Sequence, residues 1–456
     1  MVLPSAARWA ATAPVDSAPP MADDGRTDPP SGALEQLVSP FGVVSAVRRL
    51  RSPRGLARLA NYVALGGGRA PGVPPASRRP ESGDGCGRVL DDTALGRLIA
   101  VAEAAERYAA GDFLRETVVW ARAGELDGPT LDTWRIARCS PREYGHPRCP
   151  VRPFDADAAI RWVLGFDLAT GERTWVPAVM ACYALRDVRP EEAFVYRLST
   201  GYAVHTDPTE ALVQGVCEVV ERDAAAVAWL QCLPLPLIVE NARSEQLDHL
   251  LSWGARHFLD SYLFDATTDV GLPTVCCLQV AHHDPRAHQT MGCGTGRTIV
   301  EAAEKALLEA TTVRAIYTSE DPVPDSPADF ANVDHGARFM GRAERRAAFD
   351  FLVDGAARRP RSEHVPWPRD PATMLERLVS TLTGLGMQVL AVDRTPRELA
   401  AVGLTAVSVV IPDLQPLSLA PLAQFRAHPR LSALPPALGY PNRNEEEQNL
   451  WPHPLA

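Results

Sequence analysis

The sequence predicts an α/β (α+β) fold, because segments with strand and helix patterns alternate from about residue 88 to the end of the chain. Apolar runs rich in β-branched and aromatic residues suit strands, and they lie at 116–120, 175–183, 272–280, 387–392 and 405–411. Longer stretches with apolar residues at helical spacing lie between them, at 208–231, 299–317 and 371–385. That mixture favours helices packed on sheets.

Length, charge and hydropathy set broad limits on the class of protein. At 456 residues the chain exceeds the usual size of one domain, so one large domain or two closely associated domains are expected. The formal net charge of −10 gives no general attraction to nucleic acid or to an anionic membrane. The sequence contains no apolar run of about 18 residues, so no membrane-spanning helix is predicted. The N-terminus also lacks the apolar core of a secretion signal. We therefore expect a cytoplasmic protein whose nine cysteines are reduced.

Composition divides the chain into a tail and a folded part. Residues 1–34 are rich in Ala, Pro, Ser, Asp and Gly without periodicity, which is typical of a disordered tail. Residues 35–456 are expected to form the folded domain, with a flexible loop at about 66–85. The basic segment at 39–65 is expected to be helical in its second half. The chain ends in a Pro-rich tail at 451–456, in which Trp451 and Leu455 are apolar groups that could dock.

The most informative pattern is an approximate repeat of three helices. In each copy a glutamate lies eleven residues after a residue suited to cap the helix, and the pairs are Asp92 and Glu103, Asp207 and Glu218, and Thr298 and Glu309. The first two copies continue with a second glutamate, Glu106 or Glu221, and then an arginine, Arg107 or Arg222. Residues three or four apart share one face of a helix, so these side chains are expected to point the same way.

Two interpretations of this pattern compete. A single Glu-x-x-Glu-Arg element is more often a solvated helix face with an internal salt bridge, and Glu210 and Glu301 taken alone are more often capping residues. Three copies favour a shared site, because clustered carboxylates repel one another unless a cation lies among them. Oxygen ligands favour Mg²⁺, which typically takes one or two carboxylates together with phosphate oxygens. The sequence contains neither a P-loop nor a convincing Gly-x-Gly-x-x-Gly turn. Spacing alone therefore predicts a phosphate-bearing cofactor held through magnesium, outside the common nucleotide motifs.

The second copy of the repeat resembles the signature of a known family. Residues 201–224 read GYAVHTDPTEALVQGVCEVVERDA, and Trp229-Leu230 follows. This combination is similar to YcaO proteins, and closest to the azoline-forming cyclodehydratase branch of thiazole/oxazole-modified bacteriocin maturation, which includes docking scaffolds. Shorter matches extend the resemblance from about Leu34 to the end of the chain, and they lie at 37–42, 103–108, 306–314, 393–395 and 411–417.

The resemblance implies a YcaO-type fold with a nucleotide site of its own, built from quasi-repeated helices and mixed sheets, with ATP and Mg²⁺ as cofactors. The implied magnesium ligands are Glu103, Glu106, Glu218, Glu221 and Glu309. The implied nucleotide-binding residues are Glu210, Arg107, Arg222 and Arg314, and their guanidinium groups would neutralise phosphate charge. Four positions depart from residues that the family commonly carries, and they are Ile99, Ala203, Thr206 and Thr312.

The C-terminus bears on the type of reaction. Azoline-forming members of the family tend to end in Pro-x-Pro-x-Pro, with the terminal carboxylate in the active site. Pro452-His453-Pro454-Leu455-Ala456 keeps two of the three prolines. The resemblance therefore implies that the carboxylate of Ala456 acts as a catalytic general base, and it favours azoline over thioamide formation. The alternative interpretation is a disordered proline tail without a catalytic role.

The expected reaction modifies a ribosomally made precursor peptide, as in bacteriocin biosynthesis. A Cys, Ser or Thr side chain attacks the preceding backbone carbonyl, ATP phosphorylates the resulting oxygen, and loss of phosphate leaves an azoline ring. Two alternatives remain open: thioamide formation or another amide modification, and a docking scaffold that has lost ATP turnover. The expected partners are the precursor peptide, a leader-binding protein in trans that resembles ubiquitin-activating (E1-like) enzymes, and a second copy of the chain, with neither nucleic acid nor membrane.

Overall fold

The computed structural model describes residues 32–67, 83–111, 118–238, 243–318, 322–330, 332–354 and 364–455. The helices are α1 (Thr93–Ala109), α2 (Pro141–Tyr144), α3 (Ala178–Ala181), α4 (Pro208–Leu230), α5 (Glu245–Arg256), α6 (Ile299–Val313), α7 (Val333–Met340), α8 (Asp350–Val353), α9 (Pro371–Gly384), α10 (Arg397–Ala401) and α11 (Pro429–Ala437). The strands are β1 (Val44–Arg49), β2 (Leu59–Gly66), β3 (Gly85–Leu90), β4 (Val119–Ala121), β5 (Ile160–Asp167), β6 (Arg173–Pro177), β7 (Tyr202–His205), β8 (Asp260–Asp265), β9 (Thr274–Val280), β10 (Gln289–Thr295), β11 (Leu390–Asp393) and β12 (Thr405–Val410). None of the helices in these ranges is both long and apolar enough to cross a membrane.

The strands form three sheets, and each sheet supports one of the three repeated helices. One sheet has the order β1-β2-β3 and carries α1. A second has the order β10-β9-β8 and carries α6. The third has the order β4-β5-β11-β12-β7, with β6 paired to β5, and α4 packs on β12 and β7. Neighbouring strands in all three sheets run antiparallel. Of the two fold classes expected, α/β and α+β, the chain therefore has the α+β class, and its sheets are antiparallel where mixed sheets were expected.

Helix α4 connects the cores of two sheets. Its first half buries valines, including Val213 and Val220, against Val407 and Val409 of β12. Its second half, from Ala224 to Leu230, is almost fully buried against the β8–β10 sheet and C-terminal residues such as Leu455. Residues 224–230 are all apolar, and a helix that is apolar around its whole circumference is expected to be buried on all sides.

Glycine strands bring α1 and α6 unusually close to their sheets. A Cβ atom added at Gly294 of β10 would lie 2.6 Å from the carbonyl oxygen of Ala302 and 2.7 Å from the nitrogen of Ala306, both in α6. Gly85 and Gly87 of β3 face α1 in the same manner. Because these strand positions have no side chains and the facing helix positions are mostly alanine, the helix backbone rests almost directly on the strand.

The main sequence predictions hold, with three corrections. Helices predicted at 208–231, 299–317 and 371–385 correspond to α4, to α6 followed by a 3-10 turn, and to α9. The predicted strands at 272–280 and 405–411 correspond to β9 and β12, while those at 116–120 and 387–392 are represented by β4 and β11. The disordered tail and the flexible loop fall mainly at 1–31 and 68–82, which lie outside the described residues.

The corrections share a physical cause, which is tertiary burial that a local pattern does not reveal. The second half of 39–65 was expected to be helical, but Leu59–Gly66 is a strand, because its apolar residues are buried on both faces in the centre of the first sheet. The strand expected over 175–183 ends at Pro177, and Ala178–Ala181 turns into a short buried helix. The tail boundary at 34 is slightly late, since Gly32–Leu37 forms a 3-10 helix in which Leu34 is buried.

Candidate functional site

The three repeated helices begin at the residues that the sequence pattern predicts. Each capping side chain accepts a hydrogen bond from a backbone N–H in the first turn: Asp92 from Leu95 (2.8 Å), Asp207 from Thr209 (2.8 Å) and Thr298 from Glu301 (3.2 Å). The common starting point places the glutamate eleven residues later at the same height on each helix.

The three equivalent glutamates make equivalent contacts. Each carboxylate accepts a hydrogen bond from a backbone N–H in the strand before its helix or directly next to that strand: Glu103 from Cys86 in β3 (2.9 Å), Glu218 from Gly201 just before β7 (3.1 Å) and Glu309 from Cys293 in β10 (2.8 Å). Two of these strands are the glycine strands β3 and β10, whose close approach to the helix brings the carboxylate within reach of the strand backbone. The sequence repeat is therefore a structural repeat.

The second glutamate of α4 joins two copies of the repeat. Glu221 accepts a hydrogen bond from the backbone N–H of Thr295, at the end of β10 (2.9 Å). Arg222 lies between the two acids of its own helix, 3.4 Å from Glu218 Oε1 and 3.4 Å from Glu221 Oε1, and is only 3% exposed. Since Glu221 contacts the strand of the third copy, the carboxylates of α4 and α6 face a common region.

The first copy repeats this charge arrangement on α1. Arg107 contacts Glu103 at 3.0 Å and Glu106 at 2.9 Å. Burial raises the pKa of Glu106 to about 8, Arg107 opposes the rise, and the negative charges of Glu218 and Glu103 add to it. Since the charge of Glu218 acts on the pKa of Glu106, the acids of α4 and α1 face each other.

The same electrostatic relation joins α4 to α6. Burial raises the pKa of Glu309, Arg222 opposes this shift, and the charge of Glu221 increases it. Five buried or half-buried carboxylates from three helices therefore surround the arginines of α1 and α4, and they are Glu103, Glu106, Glu218, Glu221 and Glu309. The negative charge of this carboxylate cluster exceeds the positive charge that Arg107 and Arg222 supply.

The donor set of the carboxylate cluster fits Mg²⁺ bound together with phosphate. Oxygen-only ligands suit this ion, which usually takes one or two carboxylates and completes its shell with phosphate oxygens and water. In the part of the chain that the structure describes, no group of three or more His, Cys, Asp or Glu side chains is placed to hold a metal ion. A site that relies on phosphate oxygens for its remaining ligands has no need of such a group.

Three predicted site residues lie outside the carboxylate cluster, and they are Glu210, Arg314 and Ala456. Glu210, at the start of α4, accepts a hydrogen bond from the Arg297 guanidinium (2.7 Å). Arg314 lies at the end of α6 and donates to the side-chain and backbone oxygens of Gln279 and to the carbonyl oxygen of Ala287 (2.6–3.1 Å). These contacts are with β9 and the loop that follows it rather than with the carboxylate cluster. Ala456, the predicted general base, lies outside the described residues.

Sequence reasoning missed two cations beside the acids of α4. Arg297 contacts Glu210, and Lys305 donates to the carbonyl oxygen of Thr295 (2.8 Å). Both cations, together with Glu210 and Glu221, influence the thiol of Cys217, whose pKa burial raises to about 12. Their position was detectable in principle, because Arg297 directly follows Gly294-Thr295-Gly296 and Lys305 lies one helical turn before Glu309.

The Pro-rich tail is docked along the second half of α4. The indole N–H of Trp229 donates to the carbonyl oxygen of Trp451 (3.1 Å), and His453 Nε2 lies 3.3 Å from the carbonyl oxygen of Ala225. His453 is 3% exposed and Leu455 is 1% exposed. The described part of the tail, 451–455, is therefore packed rather than frayed. The positive charge of Arg222 acts on His453, so the end of the tail approaches the carboxylate cluster.

This fold and cluster match a known family. Residues 91–415 match the family described as YcaO cyclodehydratase, ATP- and Mg²⁺-binding. The match spans most of the chain, so the chain belongs to the YcaO family, as the sequence resemblance predicts. The family description agrees with the ATP and Mg²⁺ that the resemblance implies.

Individual relatives are distant. An uncharacterized protein in the tfuA 3′ region of Rhizobium leguminosarum bv. trifolii is 28% identical over 330 residues, which are 67% of this chain and 70% of that protein. A heterocyclase in complex with substrate and cofactor has a TM-score of 0.75 and 21% identity over 92% of this chain and 56% of its own. YcaO from Methanopyrus kandleri, bound with AMPPCP and Mg²⁺, has a TM-score of 0.59 and 19% identity over 84% of this chain and 88% of its own. These solved structures share the fold, and this chain spans about half the length of the heterocyclase.

Proposed function

We propose that this protein uses Mg·ATP to activate backbone amides of a ribosomally made precursor peptide and cyclodehydrates Cys, Ser or Thr residues to azolines. The carboxylate cluster is the observation that carries the proposal, because three equivalent helices direct five buried or half-buried acids toward one region that also holds Arg107 and Arg222. Membership of the YcaO family supports the same conclusion.

The proposed roles follow from the contacts of each side chain. Glu103, Glu106, Glu218, Glu221 and Glu309 would hold magnesium ions against the phosphates. Arg107 and Arg222, fixed by two carboxylates each, would neutralise phosphate charge. Glu210 with its partner Arg297 would contact the nucleotide at the start of α4, whereas the contacts of Arg314 suit a structural role. When bound, Mg·ATP supplies the phosphoryl group that turns the attacked amide oxygen into a leaving group.

The proposed reaction consumes only the peptide and ATP, and it releases ADP and phosphate. The side-chain sulfur or oxygen gives its proton to a base and forms a bond to the preceding carbonyl carbon, while the carbonyl π bond breaks. The carbonyl oxygen receives the γ-phosphoryl group of ATP, which leaves as ADP. Loss of phosphate and of the amide proton then gives the carbon–nitrogen double bond of the ring. Because the docked tail approaches Arg222, the carboxylate of Ala456 is the group that we propose as the base for that proton.

Peptide recognition is proposed to depend on a second protein. The heterocyclase neighbour is a complex with substrate, and another structural neighbour is the E. coli microcin synthetase McbBCD complex. We therefore propose a leader-binding, E1-like partner in trans, and a homodimer of this chain, in the cytoplasm.

The test combines the purified protein, its partner, Mg·ATP and a precursor peptide with Cys, Ser and Thr residues. The proposal expects peptide-dependent ATP hydrolysis and the loss of one water from the peptide for each ring, detected by mass spectrometry. Replacement of an oxygen by sulfur in the presence of sulfide would instead identify a thioamide-forming enzyme. Peptide binding without nucleotide turnover would identify a docking scaffold.

A further inference from the structure

Trp451 marks the point at which the C-terminal tail enters the protein. Leu450, which precedes it, is 63% exposed, whereas residues 452–455 are buried. The carbonyl oxygen of Trp451 accepts the indole N–H of Trp229 in α4 (3.1 Å). Its backbone N–H donates to Asn449 Oδ1 (3.0 Å). The backbone of the tail is therefore anchored where it enters.

The indole ring of Trp451 faces a cation. The guanidinium carbon of Arg345 lies 5.0 Å from the centre of that ring and 4.6 Å from the centre of the Phe339 ring. The two ring centres are 6.5 Å apart, so the three side chains form one cluster. Guanidinium groups are attracted to the faces of aromatic rings within about 6 Å of the ring centre. Phe339, from α7, is 2% exposed and gives the cluster a fixed base.

Aromatic faces surround part of the Arg345 side chain where an acceptor oxygen is the usual neighbour. Its Nε is buried and has no hydrogen-bond partner among the described residues. Buried N–H groups without an acceptor are uncommon in folded proteins. The next residue, Arg346, differs, because its guanidinium group donates to the carboxylate of Asp350. The contact with the rings is therefore specific to Arg345.

Only one residue of the tail suits this contact. Trp451 is the only Phe, Tyr or Trp in residues 441–456, so a tail that slipped by one residue would leave Arg345 without it. One residue of extended chain spans about 3.3 Å, and such a slip would carry a group out of hydrogen-bond reach of a reacting atom. The Trp451 ring therefore fixes the register in which the tail approaches the carboxylate cluster, where the charge of Arg222 acts on His453.

We propose that Arg345 is a positioning residue for the proposed reaction. By holding the Trp451 ring it fixes the register of the tail, and so the place at which the terminal carboxylate of Ala456 is presented. This inference rests on the proposed function, because that carboxylate is the base proposed above. Arg345 acts through Trp451 and takes no part in bond changes. Loss of one partly buried cation–π contact shifts the docking equilibrium of the tail roughly fivefold to thirtyfold.

The experiment compares the wild type with Arg345→Met, Arg345→Lys, Trp451→Leu and the matched control Arg346→Met, whose arginine contacts Asp350. Tail docking is measured by hydrogen exchange of the Leu455 amide. Nucleotide binding is measured by calorimetric titration of a non-hydrolysable ATP analogue with Mg²⁺. Ring formation is measured with the partner protein and a precursor peptide that contains Cys, Ser and Thr, and it gives kcat and the KM for ATP.

We expect the same changes in Arg345→Met and Trp451→Leu. Protection of the Leu455 amide should fall roughly fivefold to thirtyfold, because the tail loses its cation–π contact. The kcat should fall by about fivefold or more, because the base is misplaced. Nucleotide affinity and the KM for ATP should stay unchanged. Arg345→Lys should recover part of both losses, since it keeps the cation, and Arg346→Met should match the wild type.

Unchanged protection of the Leu455 amide in these variants would overturn the proposal, and Trp451→Leu decides this even if Arg345→Met fails to fold. Lower protection with an unchanged kcat would overturn it too, because the register of the tail would not matter for the reaction. A matching loss of nucleotide affinity would overturn it as well, since the role would then be structural. These results with an active wild type count against this inference alone, whereas a wild type that forms no ring counts against the proposed function.

Discussion

At the scale of single residues, Arg222 is a buried cation that contacts two carboxylates of its own helix. It is buried between Glu218 and Glu221, at 3.4 Å from each. A buried arginine with two carboxylate partners matters chiefly because its removal leaves the carboxylates without compensation. Stability and function are therefore coupled at this residue.

Replacing Arg222 by methionine is expected to lower the free energy of unfolding by about 3–5 kcal/mol, because two buried carboxylates lose their cation. Urea denaturation measures the change. Arg48→Met is the control, since Arg48 is exposed and the change there should stay within about 0.5 kcal/mol. Equal stability of the two variants would show that Arg222 is not the balancing charge of the cluster.

The sequence predicted the residues of the site that belong to a repeat and missed those that do not. Glu103, Glu218 and Glu309 were found because a common spacing from the cap expresses a common helical geometry. Arg297 and Lys305 have no such pattern, because their contacts depend on how separate elements pack. Burial of Leu59–Gly66 on both faces is likewise a tertiary property, and it explains why the expected helix there is a strand.

At the scale of elements, the contact between a glycine strand and an alanine-rich helix determines where the acids lie. Gly292 and Gly294 of β10 allow α6 to approach until Glu309 reaches the N–H of Cys293. A larger residue in the strand would move the helix outward and carry the carboxylate away from the cluster.

Gly294→Ala is expected to lower the free energy of unfolding by about 1–3 kcal/mol, since the added methyl group meets helix backbone atoms at 2.6 and 2.7 Å. Nucleotide affinity should fall as well. Gly124→Ala is a suitable control, because a Cβ atom there meets nothing within 4 Å. Thermal unfolding and nucleotide titration of both variants provide the measurement, and unchanged values for Gly294→Ala would contradict the close packing.

The docked tail is an element whose position should depend on pH. Burial lowers the pKa of His453 to about 3 from its ordinary value of 6.5, and the positive charge of Arg222 contributes. The neutral ring accepts the Leu455 N–H at Nδ1 (3.3 Å), leaving Nε2 to donate to Ala225. Protonation favours the undocked tail, so docking is strongest above pH 6.5 and weakens as the pH falls from 6.5 toward 3.

Hydrogen exchange of the Leu455 amide tests this expectation. Exchange, corrected for its intrinsic pH dependence, should become less protected as the pH is lowered from 8 to 5. In His453→Phe, which keeps an aromatic ring but cannot titrate, that loss of protection should disappear. Identical pH profiles for the two proteins would exclude His453 as the source.

At the scale of the whole molecule, three sheets carry three equivalent helices around one charged centre. Membership of the YcaO family, the antiparallel sheets and the converging acids are consistent with one another. The fold is shared with the heterocyclase and the Methanopyrus kandleri protein at sequence identities of 21% and 19%. Because ligands that bind the folded protein and not the unfolded chain stabilise it, the folded protein should gain stability when Mg²⁺ and a nucleotide bind at these acids together.

Calorimetric titration of ATP with and without Mg²⁺ shows whether the acids of α4 hold the nucleotide through magnesium. The proteins compared are the wild type, Glu218→Ala, Glu221→Ala and the exposed control Glu376→Ala. We expect binding only when Mg²⁺ is present, loss of binding in both site variants, and wild-type affinity in the control. A folded wild type that binds no nucleotide even with its partner present, or that binds ATP equally well without Mg²⁺, would contradict it.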